Sequence, residues 1–173
     1  MFVVITGPES SGKTTLTRQL SQYYKGTMLT EYARTYLPTL NRPYNQQDLA
    51  IMGKNQLKIH LDNMGKSNFV FADTDALTIK IWSETKYGTV DKNLDSYITF
   101  EHVGVYLLCM PDLVWEYDIM RENPHDQIKI AQKHLLAITN LKKPFYFITG
   151  VGEQRFYHAV FCLNSFIQKN SYF

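Results

Sequence analysis

The first two dozen residues constrain this chain more than any other stretch. Met1-Phe-Val-Val-Ile5 is a continuous apolar run, the signature of a strand buried on both faces, as in a parallel sheet. Gly7-Pro-Glu-Ser-Ser-Gly-Lys-Thr14 follows almost at once. From Lys13 to Tyr24, Leu16, Leu20 and Tyr23 recur at helical spacing. Strand, glycine-rich turn and amphipathic helix in that order form the context in which GxxxxGK[ST] binds phosphate. The fixed positions are Gly7, Gly12, Lys13 and Thr14. Glycines let the backbone turn tightly and bring N–H groups close to phosphate oxygens. The helix N-terminus adds partial positive charge, the lysine reaches the β/γ-phosphates, and the threonine hydroxyl is a Mg²⁺ ligand.

The rest of the chain repeats the alternation. Strands are expected at Thr27–Thr30, Phe69–Ala72, Val103–Cys109 and Phe145–Thr149. Helices are expected at Tyr32–Leu37 (stopped by Pro38), Asn45–Met64, Ala76–Lys86, Gln127–Asn140 and Gln154–Lys169. Residues 91–102 also lean towards helix. Thr74 or Asp75 is expected to cap the helix at 76. This pattern predicts an α/β fold: a parallel five-stranded sheet with helices on both faces. At 173 residues, with no repeat or linker, residues 1–173 are expected to form a single domain.

Composition excludes several classes. A formal net charge of +2 gives no ground for a nucleic acid or an anionic membrane as partner. No apolar run approaches the ~18 residues that span a bilayer, and the N-terminus lacks a signal-peptide pattern. Cys109 and Cys162 have no ligand spacing and read as reduced, buried thiols. A cytoplasmic protein is expected.

Ligands of open α/β sheets bind beyond the carboxyl ends of the strands, where Glu31, Asp73 and Asp75 fall. Asp73 ends an apolar run, a Walker-B-like arrangement that suits a metal or base role; an ordinary helix cap is the alternative. Glu31 reads equally as a base for an acceptor hydroxyl and as a solvated residue, and Arg34 as a phosphate- or substrate-orienting group or a surface ion-pair partner. The segment Met110–Pro124 is long for an internal connection. It carries Trp115, Tyr117 and Arg121, and is read as a lid (about residues 111–125) rather than a passive surface loop. Trp82 is read as core. The five histidines show no metal spacing and receive no role. Gly150–Arg155 either lies against an adenine ring or is an ordinary turn.

Five segments in matching order, GPESSGKTTL, EYART, FADTDALT, IWSE and LLCMPDLVWEYDIMREN, resemble the ribosylnicotinamide kinase domain of the NadR-type NAD-salvage proteins. The resemblance implies the P-loop nucleoside/nucleotide kinase fold and ATP-dependent phosphorylation of the 5′-hydroxyl of nicotinamide riboside. It implies ATP and Mg²⁺ as cofactors and a small nucleoside as partner. Carried over, Gly7, Glu9, Ser10, Ser11, Gly12, Lys13, Thr14 and Thr15 hold ATP, with Arg155 added from the turn after the last strand. Lys13, Glu31, Asp73 and Arg121 are the catalytic candidates, with Thr14 and Asp73 at the metal. Glu31, Tyr32, Arg34, Asp73, Asp75 and Trp115 meet the acceptor, Asp75 at ribose hydroxyls and Trp115 over the nicotinamide ring. His102-Val-Gly-Val105 lacks the second histidine of the HxGH nucleotidyl-transfer signature, so adenylyl transfer is not expected. Two other readings compete: a deoxynucleoside or nucleoside-monophosphate kinase of the same fold, and a P-loop module using ATP as a switch.

Overall fold

The computed structural model describes residues 1–98, 101–118 and 120–170. Its centre is a five-stranded, all-parallel sheet in the order β2-β3-β1-β4-β5. The strands are β1 (Phe2–Thr6), β2 (Thr27–Leu29), β3 (Val70–Asp73), β4 (Val105–Cys109) and β5 (Phe145–Ile148). The helices are α1 (Lys13–Tyr23), α2 (Ala33–Tyr36), α3 (Gln46–Asp62), α4 (Ala76–Tyr87), α5 (Lys92–Ser96), α6 (Gln127–Asn140) and α7 (Glu153–Asn170).

The apolar run at the N-terminus becomes the central strand because both its faces are covered. Val3 and Ile5 point into a core closed by Leu16 and Leu20 of α1 and by Ala159 and Leu163 of α7. Phe2 and Val4 point the other way, to Leu77 and Ile81 of α4 and Ile130 and Ile138 of α6. The alternation of side chains across a strand thus divides one hydrophobic run between two layers. Ile5 pairs with Asp73 and with Leu107, so β1, β3 and β4 end together and their carboxyl ends form one rim. A third cluster, with Ala33, Leu49, Met52, Ile79 and Leu94, packs α2 and α5 against α3 and α4 beside that rim.

Local chemistry sets the boundaries. Asn45 opens α3 with a capping box, its side chain accepting from Asp48 N while Asp48 accepts from Asn45 N. Asp75, not Thr74, caps α4 through Thr78 N at 3.2 Å. Gly88 closes α4 in the left-handed region at φ 69°. The α-helix ends before Pro38 as expected: α2 closes at Tyr36, and Pro38 sits in the first turn of a 3₁₀ helix, Leu37–Thr39, where a missing N–H costs nothing. One expectation needs correction. Of the helix expected over 91–102, only Lys92–Ser96 is helical, and residues 99–100 lie outside the described residues.

Thr74, between the two aspartates, has φ 76°. A β-branched residue there is strained by ~1–3 kcal/mol, and its buried hydroxyl has no hydrogen-bond partner among the described residues. Glycine at this position relieves both costs and gives back ~0.5–1 kcal/mol in unfolded-chain entropy. Thr74→Gly is therefore expected to raise stability by about 1 kcal/mol, read as a higher urea midpoint with unchanged slope.

Candidate active site at the carboxyl ends of the strands

The turn after β1 is built as its sequence requires. Gly7 has φ 134°, and a Cβ there would lie 2.5 Å from the Cys109 carbonyl oxygen. Only glycine lets the loop leave β1 this close to β4. Gly12 precedes α1 at φ 77°. Within the loop, Lys13 Nζ donates to the Pro8 carbonyl at 2.6 Å and Ser11 Oγ to the same oxygen at 2.7 Å.

The loop borders a cleft of about 450 Å³, a size suited to small ligands. The cleft is lined by Gly7–Leu16, Leu113, Val151, Gly152 and Arg155, and by Glu31, Arg34, Thr78, Ile81, Trp82, Thr85, Met120 and His134. Arg121 and Glu116 close it from the 110–126 segment. Lys13, Thr14, Thr15, Glu9, Ser10, Ser11, Glu31, Arg34, Arg121 and Arg155 are thus brought together. Tyr32, Asp73, Asp75 and Trp115 are not among the lining residues. Tyr32 stacks on Tyr36 with ring centroids 5.8 Å apart. Asp75 is buried: besides capping α4, it accepts from the Tyr106 hydroxyl at 2.7 Å.

Asp73 is also buried, and neither carboxylate oxygen has a well-formed hydrogen bond among the described residues. Burial pushes its pKa up; the Thr14 hydroxyl, Lys13 and Arg34 pull the other way. A buried carboxylate in this state is costly unless a positive group completes it. Among the described residues no cluster of three His, Cys, Asp or Glu side chains could hold a metal by itself; the orphaned oxygens of Asp73 and the adjacent Thr14 hydroxyl are hard oxygen donors that could hold a divalent cation. Glu31 is pushed up to about 7, first by burial and then by the charge of Asp73, against the pull of Lys13 and Arg34. A carboxylate in that range is poised to take a proton near neutral pH.

The 110–126 segment is fastened to the loop it covers. Glu9 accepts from the backbone N–H of Glu122 and Asn123, each at 2.9 Å, and from Asn123 Nδ2 at 3.2 Å. Ser10 Oγ accepts from Glu116 N at 3.0 Å and from Arg121 at 3.3 Å. Arg34 bonds Asp118 at 3.2 Å and faces Glu31 at 3.6 Å. Glu9, read from the sequence as a nucleotide contact, is engaged by Glu122 and Asn123 of the 110–126 segment. Glu9→Ala is expected to speed hydrogen exchange at the Glu122 and Asn123 amides at least about tenfold, since charge-assisted bonds are worth ~1.5–3 kcal/mol; unchanged exchange would show that the loop is held by other contacts.

Arg155 is 4% exposed and donates to the carbonyls of Gly150, Ser11 and Met110 at 2.8, 2.9 and 3.1 Å and pairs with Asp112. It staples the turn after β5 to the phosphate loop. Two residues escaped sequence reasoning. Trp82, read as core, lines the cleft while packing edge-on to Tyr44 at 5.2 Å. His134, given no role, lines its floor, with Nδ1 2.9 Å from Thr6 Oγ1. Trp82 does pack against the core around α3 and α4, but nothing in the local sequence shows that it or His134 borders a cavity.

A family model described as an AAA domain matches residues 2–155. The chain belongs to this AAA-domain family. No curated protein matches it. Among solved structures, the NadR protein in complex with nicotinamide riboside (NR) superimposes with TM-score 0.76 at 22% identity. The match covers 95% of this chain and 49% of that one; NadR in complex with NAD and AMP-PNP gives 0.74 at the same identity and coverage. The chain therefore spans about half the length of the NadR chains it matches. The thymidylate kinase from Ehrlichia chaffeensis gives TM-score 0.66 at 15% identity, covering 94% of this chain and 98% of that one. The fold is that of P-loop nucleoside and nucleotide kinases, the fold that the resemblance to NadR-type kinase domains implies. Among the described residues, no helix of this AAA-domain protein is long and apolar enough to cross a membrane.

Proposed function

We propose that this AAA-domain protein is an ATP-dependent kinase that phosphorylates the 5′-hydroxyl of nicotinamide riboside to nicotinamide mononucleotide. The observation that carries the reading is the charge balance opposite the phosphate loop. Glu31 and Asp73 are acids, and Arg34 is already neutralised by Glu31 and Asp118. Lys86, on the same helix as Trp82, is bound to Glu122. An acceptor bringing its own phosphate would meet no uncommitted counter-charge from these two cations, whereas a pyridinium nucleoside brings the complementary charge. The solved complex of NadR with NR supports the same choice.

In this reading the loop N–H groups and Lys13 bind the β/γ-phosphates and spread the charge of the transferring phosphoryl. Thr14 and Asp73 would hold Mg²⁺, which neutralises phosphate charge when bound. Glu31 holds the 5′-hydroxyl and takes its proton as the O–P bond forms. Arg121, on the lid, adds positive charge over the phosphates, and the closed lid excludes water that would otherwise accept the phosphoryl group.

Purified protein given Mg-ATP and, separately, nicotinamide riboside, thymidine, deoxyadenosine and thymidine monophosphate tests the assignment. The expected result is a kcat/KM for nicotinamide riboside at least about tenfold above the others. A higher value for deoxyadenosine or for the monophosphate would reassign the acceptor. ATP hydrolysis indifferent to every acceptor would favour an ATP-dependent switch.

A further inference from the structure

A chain of polar groups runs beneath the cleft. The Tyr106 hydroxyl donates to Asp75 Oδ2 at 2.7 Å. Asp75 Oδ1 receives the Thr78 backbone N–H at 3.2 Å and the Thr78 hydroxyl at 3.4 Å. Thr78 Oγ1 lies 3.1 Å from Thr6 Oγ1, and Thr6 Oγ1 lies 2.9 Å from His134 Nδ1. Each hydroxyl has one proton to give, whereas a carboxylate only accepts. Burial pushes the Asp75 pKa up, while the hydrogen bonds from Tyr106 and Thr78 pull it down; with Asp75 ionised, the direction of every bond follows from that end. Thr78 gives its proton to Asp75, so Thr6 gives its proton to Thr78. His134 Nδ1 must then carry the hydrogen that Thr6 accepts. A neutral imidazole protonated at Nδ1 has a lone pair at Nε2. Nε2 has no hydrogen-bond partner among the described residues, and His134, 1% exposed, is a lining residue of the cleft.

We propose that His134 is a specificity-determining residue whose Nε2 lone pair accepts a hydrogen bond from an N–H or O–H of the acceptor nucleoside; this rests on the kinase reading above. Burial and the nearby Lys13 push the His134 pKa down to about 3, so the ring stays neutral through the working range. A carboxylate or phosphate oxygen of the acceptor at that place would face the lone pair and be disfavoured. Two donors of a nicotinamide nucleoside fit this chemistry, the carboxamide N–H and a ribose hydroxyl. Thr6, outside the cleft, acts as a positioning residue that fixes the tautomer.

The test is ¹⁵N-detected NMR of the histidine rings in the full chain, with His134 assigned by comparison with His134→Phe. The free protein is expected to show Nδ1 protonated and Nε2 bare, and addition of nicotinamide riboside to shift Nε2 towards a hydrogen-bonded value. Thr6→Val is expected to mix the tautomers and raise the nicotinamide riboside KM about 3–10-fold with little change in kcat, the loss of one net hydrogen bond. His134→Phe is expected to raise it about tenfold. If the rise is confined to nicotinamide riboside and spares nicotinic acid riboside, the donor is the carboxamide; an equal rise for both makes it a ribose hydroxyl. Nε2 protonated in the free protein, or unchanged KM for both acceptors in a folded His134→Phe, overturns the proposal. If nicotinamide riboside proves not to be an acceptor, the kinase assignment fails on its own assay. The KM of the nucleoside that is phosphorylated then decides this inference: a rise in His134→Phe supports it, and an unchanged KM in the folded variant or a protonated Nε2 in the free protein overturns it.

Discussion

Lys13→Ala is expected to slow phosphoryl transfer about 10²–10³-fold, the usual cost of removing one preorganised donor from a developing charge. The thermal midpoint should barely move. Lys13 borders the cleft, and its hydrogen bond among the described residues is to the Pro8 carbonyl, which Ser11 also serves. A steady-state assay paired with a thermal melt separates the two effects. Near-normal turnover would remove the loop from the chemistry, and an unfolded variant would make Lys13 a structural residue. Arginine at 13 should not restore the rate, because the position calls for a compact point charge and not a planar fork.

Glu31→Gln is expected to lower kcat/KM about 10²–10⁴-fold, the range for loss of a general base. Its pH dependence makes the prediction specific. Wild-type kcat/KM should rise with pH through about 7, where Glu31 loses its proton, and the variant should lack that limb. Stability should move in the opposite sense. The folded pKa, about 7, lies above the ordinary 4.5, so the folded state holds the proton more tightly. Glu31's contribution is therefore favourable at low pH and is lost as pH climbs from about 4.5 through about 7. Glutamine stays neutral, so the variant should be more stable than wild type at pH 8 and equal to it near pH 4. A variant that is both slow and destabilised at pH 8 would make Glu31 a structural partner of Arg34 instead.

Where side chains act through nearby sequence, the reading from sequence and the structure agree closely. The phosphate loop needs only its own residues and the strand and helix around it. Helix α6 was expected at Gln127–Asn140 and is found there, because its apolar positions repeat cleanly between loops. Contacts between distant segments were invisible. His134 meets Thr6 across 128 positions, and Glu9 meets Asn123 across 114. Asp75 illustrates a different difficulty. An acid just after a strand fits a ribose contact, a metal ligand or a helix cap equally well. The cap on α4 was among the readings its neighbours offered, whereas the Tyr106 hydroxyl, 31 positions away, was not legible from them.

The two acids are linked through Asp73. Asp73 raises the Glu31 pKa through its charge, and Lys13 lowers both. In the proposed mechanism a cation bound at Asp73 and Thr14 would offset that repulsion, and acceptor activation and metal binding would be coupled through one carboxylate pair.

The most direct test of the central claim is transfer of label from ATP. With γ-labelled ATP, Mg²⁺ and nicotinamide riboside, the account predicts that the label appears on the 5′-oxygen of nicotinamide mononucleotide, one phosphoryl per ADP formed. Label released only as inorganic phosphate, at a rate unaffected by the nucleoside, would contradict it.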